Sequence, residues 1–218
     1  MKRCMDVFCA FALLLLLLPA LLLCAIIILL DSRGPVLFRQ VRMGRHFRPF
    51  HVLKLRTMRH RGDGPPYTLG DDARITFAGR WMRTSKVDEL PQLWNVLRGD
   101  MSLVGPRPVV PQLAEEFRDE YGRLLAVRPG LTDPATLKYR DECELLAAAP
   151  DPLHHFKRVV MPDKLHISAQ YLKEATVWSD LGLMARTAQA LLPCPSRNLV
   201  GQSAPVLTIM PRPADGKS

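Results

Sequence analysis

The sequence predicts an α-rich α+β fold, in which a kinked N-terminal membrane helix precedes a small cytoplasmic domain made of a β-hairpin and interfacial helices. Three features predict it. Residues Val7–Leu30 run for 24 positions without a charge, enough to cross a bilayer as a helix. Two extended stretches, Val36–Arg42 and Phe50–Arg56, flank a turn at Met43-Gly44-Arg45. Beyond them, apolar residues recur at helical spacing between segments punctuated by proline and glycine.

The membrane segment comes first. The residues after Leu30 (Asp31-Ser32-Arg33-Gly34-Pro35) supply no small-residue cleavage site, so a signal peptide is disfavoured. Pro19 sits mid-run and removes a backbone hydrogen bond, which bends a helix. Both flanks are basic: Lys2 and Arg3 precede the run, and nine Lys or Arg against the single Asp31 follow it up to Gly62, a local charge of +8. Basic flanks stay cytoplasmic, so neither end has a strong reason to cross. Each half, Val7–Leu18 and Ala20–Leu30, extends about 17–18 Å, a little past mid-bilayer. On these grounds a re-entrant helix broken at Pro19 and a kinked spanning helix both stand.

In the hairpin, Phe50, Val52 and Leu53 are the inward candidates. A Gly/Pro-rich loop containing Pro65-Pro66 runs from Arg61 to Asp72, where Asp71-Asp72 reads as a cap before a cation site. A helix is expected over Val87–Arg98. Ser85 and Asp88 resemble a capping box, Leu90, Leu93, Trp94 and Leu97 form one face, Pro91 is tolerated near the first turn, and Gly99 stops the helix. A proline-punctuated loop, Met101–Pro111, leads into a helix over Pro111–Leu125. Near the end, Ser179 or Asp180 caps a helix with Leu181, Met184, Ala188 and Leu191 on one face; Trp178 suits either a membrane interface or the core. The organisation is thus a membrane helix over 1–31, a cytoplasmic domain over 32–194, and a Pro/Ser/Gly-rich tail over 195–218 expected to be disordered.

Composition narrows the function without naming it. A net charge of +9 suits nucleic acid, anionic lipid or phosphorylated substrates alike. The basic block behind the membrane run would also attract anionic headgroups, at roughly 1 kcal/mol per cation. Five cysteines, Cys4, Cys9, Cys24, Cys143 and Cys194, form no CxxC pair and indicate neither a disulfide framework nor a zinc site. His154-His155 reads as surface. No dinucleotide fingerprint, P-loop or Gly-x-Ser-x-Gly occurs.

Chemistry concentrates in Arg83–Pro108. Asp88 and Glu89 fall in the first turn of the expected helix, where exposed N–H groups should keep both ionised. Helical neighbours point about 100° apart, so one carboxylate can face a phosphorus atom while the other reaches a divalent cation. Taken alone, adjacent first-turn acids are ordinary. Arg107, however, is fixed between Pro106 and Pro108, and Arg83 lies upstream; arginine forks suit phosphate. Carboxylates, arginines and Mg²⁺ are the parts phosphoryl transfer needs.

The run Thr84-Ser85-Lys86-Val87-Asp88-Glu89-Leu90-Pro91-Gln92-Leu93-Trp94-Asn95-Val96-Leu97-Arg98-Gly99-Asp100-Met101-Ser102-Leu103-Val104-Gly105-Pro106-Arg107-Pro108 resembles the signature of the bacterial sugar transferases, the monotopic polyprenyl-phosphate phosphoglycosyl transferases. Lys2-Arg3 with Asp6, Gly34–Gln40, Lys54–Met58 and Val127–Thr132 match as well, so the likeness covers residues 2 to about 192 and suggests a small, catalytic-unit-only member. The resemblance implies that a small catalytic domain transfers a sugar 1-phosphate from a UDP-sugar to polyprenyl (undecaprenyl) phosphate, releasing UMP. Asp88 would be the nucleophile that carries the phosphosugar, with Glu89 its partner, and the pair would hold Mg²⁺. Arg83, Arg107, Lys54, Arg56 and Arg128 would contact phosphate or substrate. The membrane segment would be re-entrant, broken at Pro19, at the cytoplasmic face of the bacterial inner membrane. Expected partners are the UDP-sugar, polyprenyl phosphate and anionic phospholipid, with no nucleic acid and with a homo-oligomer left open. The sequence departs from the family in two places. Asp133–Glu142 replaces a Gly-Trp and amide-rich run in a segment expected to help bind the donor, and Leu18 stands where a serine often precedes the membrane proline. A non-catalytic, membrane-tethered protein binding lipid or nucleic acid through its basic block is the alternative.

Overall fold

The computed structural model describes residues 1–59 and 72–191. The Pro65-Pro66 loop, Asp71, Cys194 and the tail from Pro195 lie outside the described residues.

Helix α1 (Lys2–Asp31) is helical throughout, including Pro19. It is the one helix among the described residues long and apolar enough to cross a membrane. Its middle is bare: Leu15, Leu16, Leu18, Leu22 and Leu23 are exposed, while Asp6, Ala10, Cys24 and Ile28, toward the two ends, are buried. Strands β1 (Leu37–Met43) and β2 (Pro49–Leu55) form the expected antiparallel hairpin, with Leu37 opposite Leu55 and Met43 opposite Pro49. The turn lies later than the sequence suggested. Gly44 N–H donates to the Arg48 carbonyl at 2.9 Å, around a 3-10 turn at Arg45–Phe47. Val52 and Leu55 are buried, whereas Phe50 and Leu53 are half-buried.

Helix α2 (Phe77–Thr84) is not expected from the sequence pattern. The Thr76 hydroxyl caps it by accepting from Gly79 N–H at 3.0 Å, and Asp31, at the end of α1, accepts from Ala78 N–H at 3.1 Å. A carboxylate carried there by tertiary structure stabilises the helix start. The expected Val87–Arg98 helix is divided into a 3-10 turn at Val87–Glu89 and α3 (Gln92–Arg98), with Pro91 at the N-cap of α3. Gly99, at φ +96°, closes α3 as expected.

Strand β3 (Ser102–Val104) later pairs in parallel with β4 (Gly130–Thr132). Between them, the expected Pro111–Leu125 helix breaks at Phe117 (φ −114°, ψ 45°) into α4 (Pro111–Glu116) and α5 (Arg118–Leu124). No periodicity marks an element between Pro134 and Glu174. The structure has α6 (Pro134–Lys138), α7 (Glu142–Ala147), α8 (Pro152–His155) and, after a π turn at Phe156–Val160, α9 (Met161–Glu174). Helix α10 (Val177–Leu191) starts on a reciprocal cap, Thr176 N–H to Ser179 Oγ and Ser179 N–H to Thr176 Oγ1. Asp180 is therefore not a cap. It is 1% exposed and accepts from Lys2 and, at 2.7 Å, from the Tyr171 hydroxyl.

Three apolar clusters join these parts. Ala10 of α1 packs with Val52, Leu93, Val96, Leu103 and Leu183; Cys24 and Ile28 of α1 pack with Leu55, Ala78 and Met82; Val109, Tyr121, Leu124, Met161 and Leu165 close the far side. Polar contacts fasten both ends of α1 to the same body. At its start, the buried Asp6 accepts from Ser102 Oγ at 2.7 Å and Leu103 N–H at 3.2 Å, and Arg3 donates to the Val96 and Leu97 carbonyls ending α3. At its finish, Arg56 donates to the Ile28 and Ser32 carbonyls.

Candidate active site

The site begins with a backbone reversal. Ser85 does not cap the following turn; its hydroxyl donates back to the Trp81 and Met82 carbonyls at the end of α2. Lys86 then adopts φ +58°, uncommon for a residue with a side chain, and the chain turns into Val87–Glu89. Asp88 and Glu89 thus sit in a short 3-10 turn, not at the N-terminus of a long helix.

This changes the electrostatics expected of the pair. Asp88 is 6% exposed and its Oδ1 has no hydrogen-bond partner. Burial, reinforced by the Glu89 charge, pushes its carboxyl above the ordinary range, against the pull of Lys54, Lys86 and Arg83. The helix terminus expected to favour both charges is therefore absent, and burial raises the Asp88 carboxyl above its ordinary range. For Glu89 burial acts in the same upward direction, but Arg107 and Lys54 outweigh it and hold the carboxyl well below its usual range. The contacts are direct: Glu89 Oε1 accepts from Lys54 Nζ at 3.0 Å and from the Arg107 guanidinium.

Long-range packing supplies these cations. Lys54 comes from β2, opposite Phe38 in the hairpin. Arg107 follows β3, and its Nη1 donates to the Leu131 carbonyl of β4 at 2.8 Å. The β3–β4 crossing that sets this loop depends on glycine, since a Cβ on Gly130 would lie 2.1 Å from the Gly105 nitrogen. Arg42 of β1 belongs to the basic block expected to meet headgroups. It faces the same space, and burial together with Arg107 lowers its pKa to about 10. Three cations thus surround one firmly ionised carboxylate, an excess of positive charge suited to a phosphorylated ligand.

A cavity of about 380 Å³ opens here, lined by Arg42, Lys54, Lys86, Glu89, Gln92 and Arg107. Asp88 is not among the lining residues and precedes Glu89 in the same turn. The divergent segment also contributes to the wall, through Asp133, Thr136, Tyr139, Arg140 and Glu142. Asp133 caps α6 by accepting from Thr136 N–H at 2.6 Å and is held by Ser168 Oγ at 2.6 Å.

The other predicted phosphate contacts fall elsewhere. Arg56 is buried at the end of α1, and Arg128 Nε donates to the Gly99 carbonyl at 2.8 Å. Neither lines the cavity. Arg83 donates to Thr57 Oγ1 at 3.0 Å and acts on Asp88 through its charge. The basic block is therefore not one solvated face: Arg42 and Lys54 turn into the site and Arg56 into the fold, leaving Arg33, Arg39, Arg45, Arg48 and Arg59 exposed. Among the described residues, no group of three or more His, Cys, Asp or Glu is arranged as a metal cage. Asp72 bonds Arg74 N–H at 2.9 Å, consistent with a turn cap.

The family model described as bacterial sugar transferase matches residues 1–193, which contain every residue of this site. The chain belongs to the bacterial sugar transferase family. A UDP-glucose:undecaprenyl-phosphate glucose-1-phosphate transferase of Caulobacter vibrioides is 41% identical over 198 residues, covering 88% of this chain and 69% of the relative. An undecaprenyl-phosphate glucose phosphotransferase of Komagataeibacter xylinus is 41% identical over 195 residues, covering 85% of this chain and 35% of the relative. An Aeromonas hydrophila enzyme, named for N-acetylgalactosamine phosphate transfer to undecaprenyl phosphate, is 34% identical, covering 88% of this chain and 43% of that one. This sugar transferase is accordingly a phosphoglycosyl transferase in class.

Proposed function

We propose that the protein transfers a sugar 1-phosphate from a UDP-sugar to polyprenyl phosphate, undecaprenyl phosphate in the cell, releasing UMP through a covalent intermediate on Asp88. The observation that carries this reading is the pairing of two unlike carboxylates. Asp88 is buried with an oxygen that has no hydrogen-bond partner, whereas its neighbour Glu89 is clamped by Lys54 and Arg107 in the wall of a cationic cavity. A poorly solvated carboxylate with a raised pKa is the stronger nucleophile, and a clamped one is the better scaffold.

In the first step an Asp88 carboxylate oxygen attacks the sugar-bearing phosphorus. The bond from that phosphorus to the bridging oxygen breaks, and UMP leaves with the electron pair. In the second step a phosphate oxygen of the lipid attacks the same phosphorus, the acyl phosphate bond breaks, and Asp88 returns as a carboxylate beside a polyprenyl diphosphosugar. Arg107, Lys54 and Arg42 offset the equatorial oxygen charge, with Arg83 adding field at Asp88. The Asp88 oxygen without a partner and the adjacent Glu89 are the residues that would hold a Mg²⁺ ion. Such an ion would supply further neutralisation of the diphosphate charge. The product would start a surface glycan, such as an exopolysaccharide, on its lipid carrier.

The same reading places the chain at the cytoplasmic face of the inner membrane with α1 re-entrant at Pro19. What supports this is the attachment of both ends of α1 to one body, through Asp6 and Arg3 at the start and Asp31 and Arg56 at the finish, with bare leucines between. Contacts at both ends with one body favour a helix that returns to the side it entered over one that ends on the far side. The exposed Phe77, Trp81 and Trp178 suit a headgroup interface, where anionic phospholipid would meet the exposed arginines.

The deciding experiment measures UMP release from a panel of UDP-sugars in membranes supplied with undecaprenyl phosphate, for wild type and Asp88→Asn. Release with one sugar that disappears in the variant supports the reaction and the nucleophile. Release that survives the substitution removes Asp88 from that role, and a non-catalytic lipid-binding protein would release none. Thiol labelling of cysteines placed at each end of α1 should report the cytoplasmic side for both; one end reachable only from outside would end the re-entrant reading.

A further inference from the structure

Two side-chain amides are buried on α3, and they behave differently. Asn95, 1% exposed, has both ends engaged: Oδ1 accepts from Leu53 N–H at 3.0 Å and Nδ2 donates to the His51 carbonyl at 2.8 Å. It extends the hairpin's hydrogen bonding to the helix, which explains its presence. Gln92 is also 1% exposed, yet neither its Oε1 nor its Nε2 has a partner. An amide buried in that state costs about 1–3 kcal/mol. A methionine or leucine would fill the place without that cost, so packing gives no reason for glutamine.

Position suggests the reason. Gln92 opens α3 three residues after Glu89 and lines the cavity with Glu89, Lys54 and Arg107. The phosphate charge already has three cations to meet it. An uncharged group that can both donate and accept suits a different part of the ligand, one that also donates and accepts. That describes a sugar hydroxyl, and proximity to Glu89 and Asp88 selects one close to the reacting phosphate.

We propose that Gln92 is a substrate-contact residue whose amide hydrogen-bonds the substituent on the sugar carbon next to the phosphate-bearing carbon, seating the ring for attack by Asp88. This rests on the phosphosugar transfer proposed above and adds to it the group that reads the sugar.

The test has two stages, so that the two readings fail separately. The UDP-sugar panel first identifies the donor that wild type accepts; no UMP release at this stage counts against the transfer reaction itself. With that donor and its 2-deoxy analogue, kcat and KM are then measured for wild type, Gln92→Met and Gln92→Glu, with thermal unfolding of each. Wild type should prefer the full donor roughly 10- to 100-fold in kcat/KM. Gln92→Met should lose that preference, reacting with both donors about as slowly as wild type does with the analogue, while unfolding at or above the wild-type temperature. Gln92→Glu keeps the shape and one acceptor, but adds charge beside Glu89, and should be slower than wild type with the full donor. Full discrimination by Gln92→Met would overturn the proposal. So would a destabilised Gln92→Met with unchanged preference, the outcome if the amide only holds a structural water; if Gln92→Met does not fold, undiminished kcat/KM and preference in Gln92→Glu would overturn it too.

Discussion

Replacing Glu89 with Gln leaves the shape of the site but removes the charge that holds Lys54 and Arg107. A single oxygen, Glu89 Oε1, accepts from both. Hydrogen bonds to charged groups contribute about 1.5–3 kcal/mol each, so a dry pair would contribute roughly 3–6 kcal/mol. The site is partly wet: the Glu89, Lys54 and Arg107 side chains are 14%, 23% and 32% exposed. Solvent screening brings the expectation down to about 3 kcal/mol. For a chain of this size that corresponds to a fall of about 6–12 °C in Tm. Because the folded Glu89 pKa lies below its ordinary value of 4.5, its stabilisation is fully present above that pH. It fades only as pH falls through the lower folded value, so the Tm gap between wild type and variant should be constant across neutral pH and close in acid. Much of the loss comes from stranding Arg107, and Glu89→Gln combined with Arg107→Met should therefore be more stable than the two single effects predict, by about 1 kcal/mol or more. Thermal unfolding in detergent reads all four corners of the cycle. A single variant within 1 °C of wild type, or strict additivity, would refute the clamp.

Asp88→Asn should lower UMP release at least about a thousand-fold while leaving Tm equal or higher at pH 7. The folded pKa of Asp88 is raised, so proton binding favours the fold at low pH and the benefit is gone once pH passes that value. A neutral amide removes the penalty; a clearly lower Tm would contradict the burial argument. The acid limb of the wild-type rate profile should accordingly fall at a pH above the ordinary aspartate value of 3.8. Asp6→Ala strands Ser102 Oγ and Leu103 N–H beneath α1, and should cost about 2–5 kcal/mol by thermal unfolding; a silent substitution would show that α1 is not anchored there. Gly130→Ala should abolish folding or activity because its Cβ would meet the Gly105 backbone, whereas Gly122→Ala, with nothing within 4 Å, should be neutral or stabilising by about 0.5–1 kcal/mol. Soluble, active Gly130→Ala protein would show that the β3–β4 crossing can spread without moving Arg107.

Elements specified by near neighbours were legible in the sequence. The apolar run became α1, the hairpin formed where alternation placed it, and Gly99 ended α3. Adjacency alone put Asp88 beside Glu89, and two prolines marked Arg107 as fixed. Short elements were not legible. α2 depends on Asp31 from another helix to support its start, and α6–α8 are four to six residues each, too short for periodicity to register.

The site itself depends on distance along the chain. Lys54 meets Glu89 across 35 residues and Arg107 meets it across 18, so a count of basic residues could not separate Arg42 and Lys54, which face the cavity, from Arg56 and Arg128, which hold helix ends. Nor could composition distinguish Asn95 from Gln92, two amides three positions apart on one helix. Local propensity acts over a few residues, and it settled which chemical groups the chain carries and roughly where its helix and hairpin lie. Burial and partnership are properties of the packed whole. They made Asp88 a reluctant acid and Glu89 a firm one, brought three cations to one carboxylate, and left the buried Gln92 amide in the cavity wall without a partner.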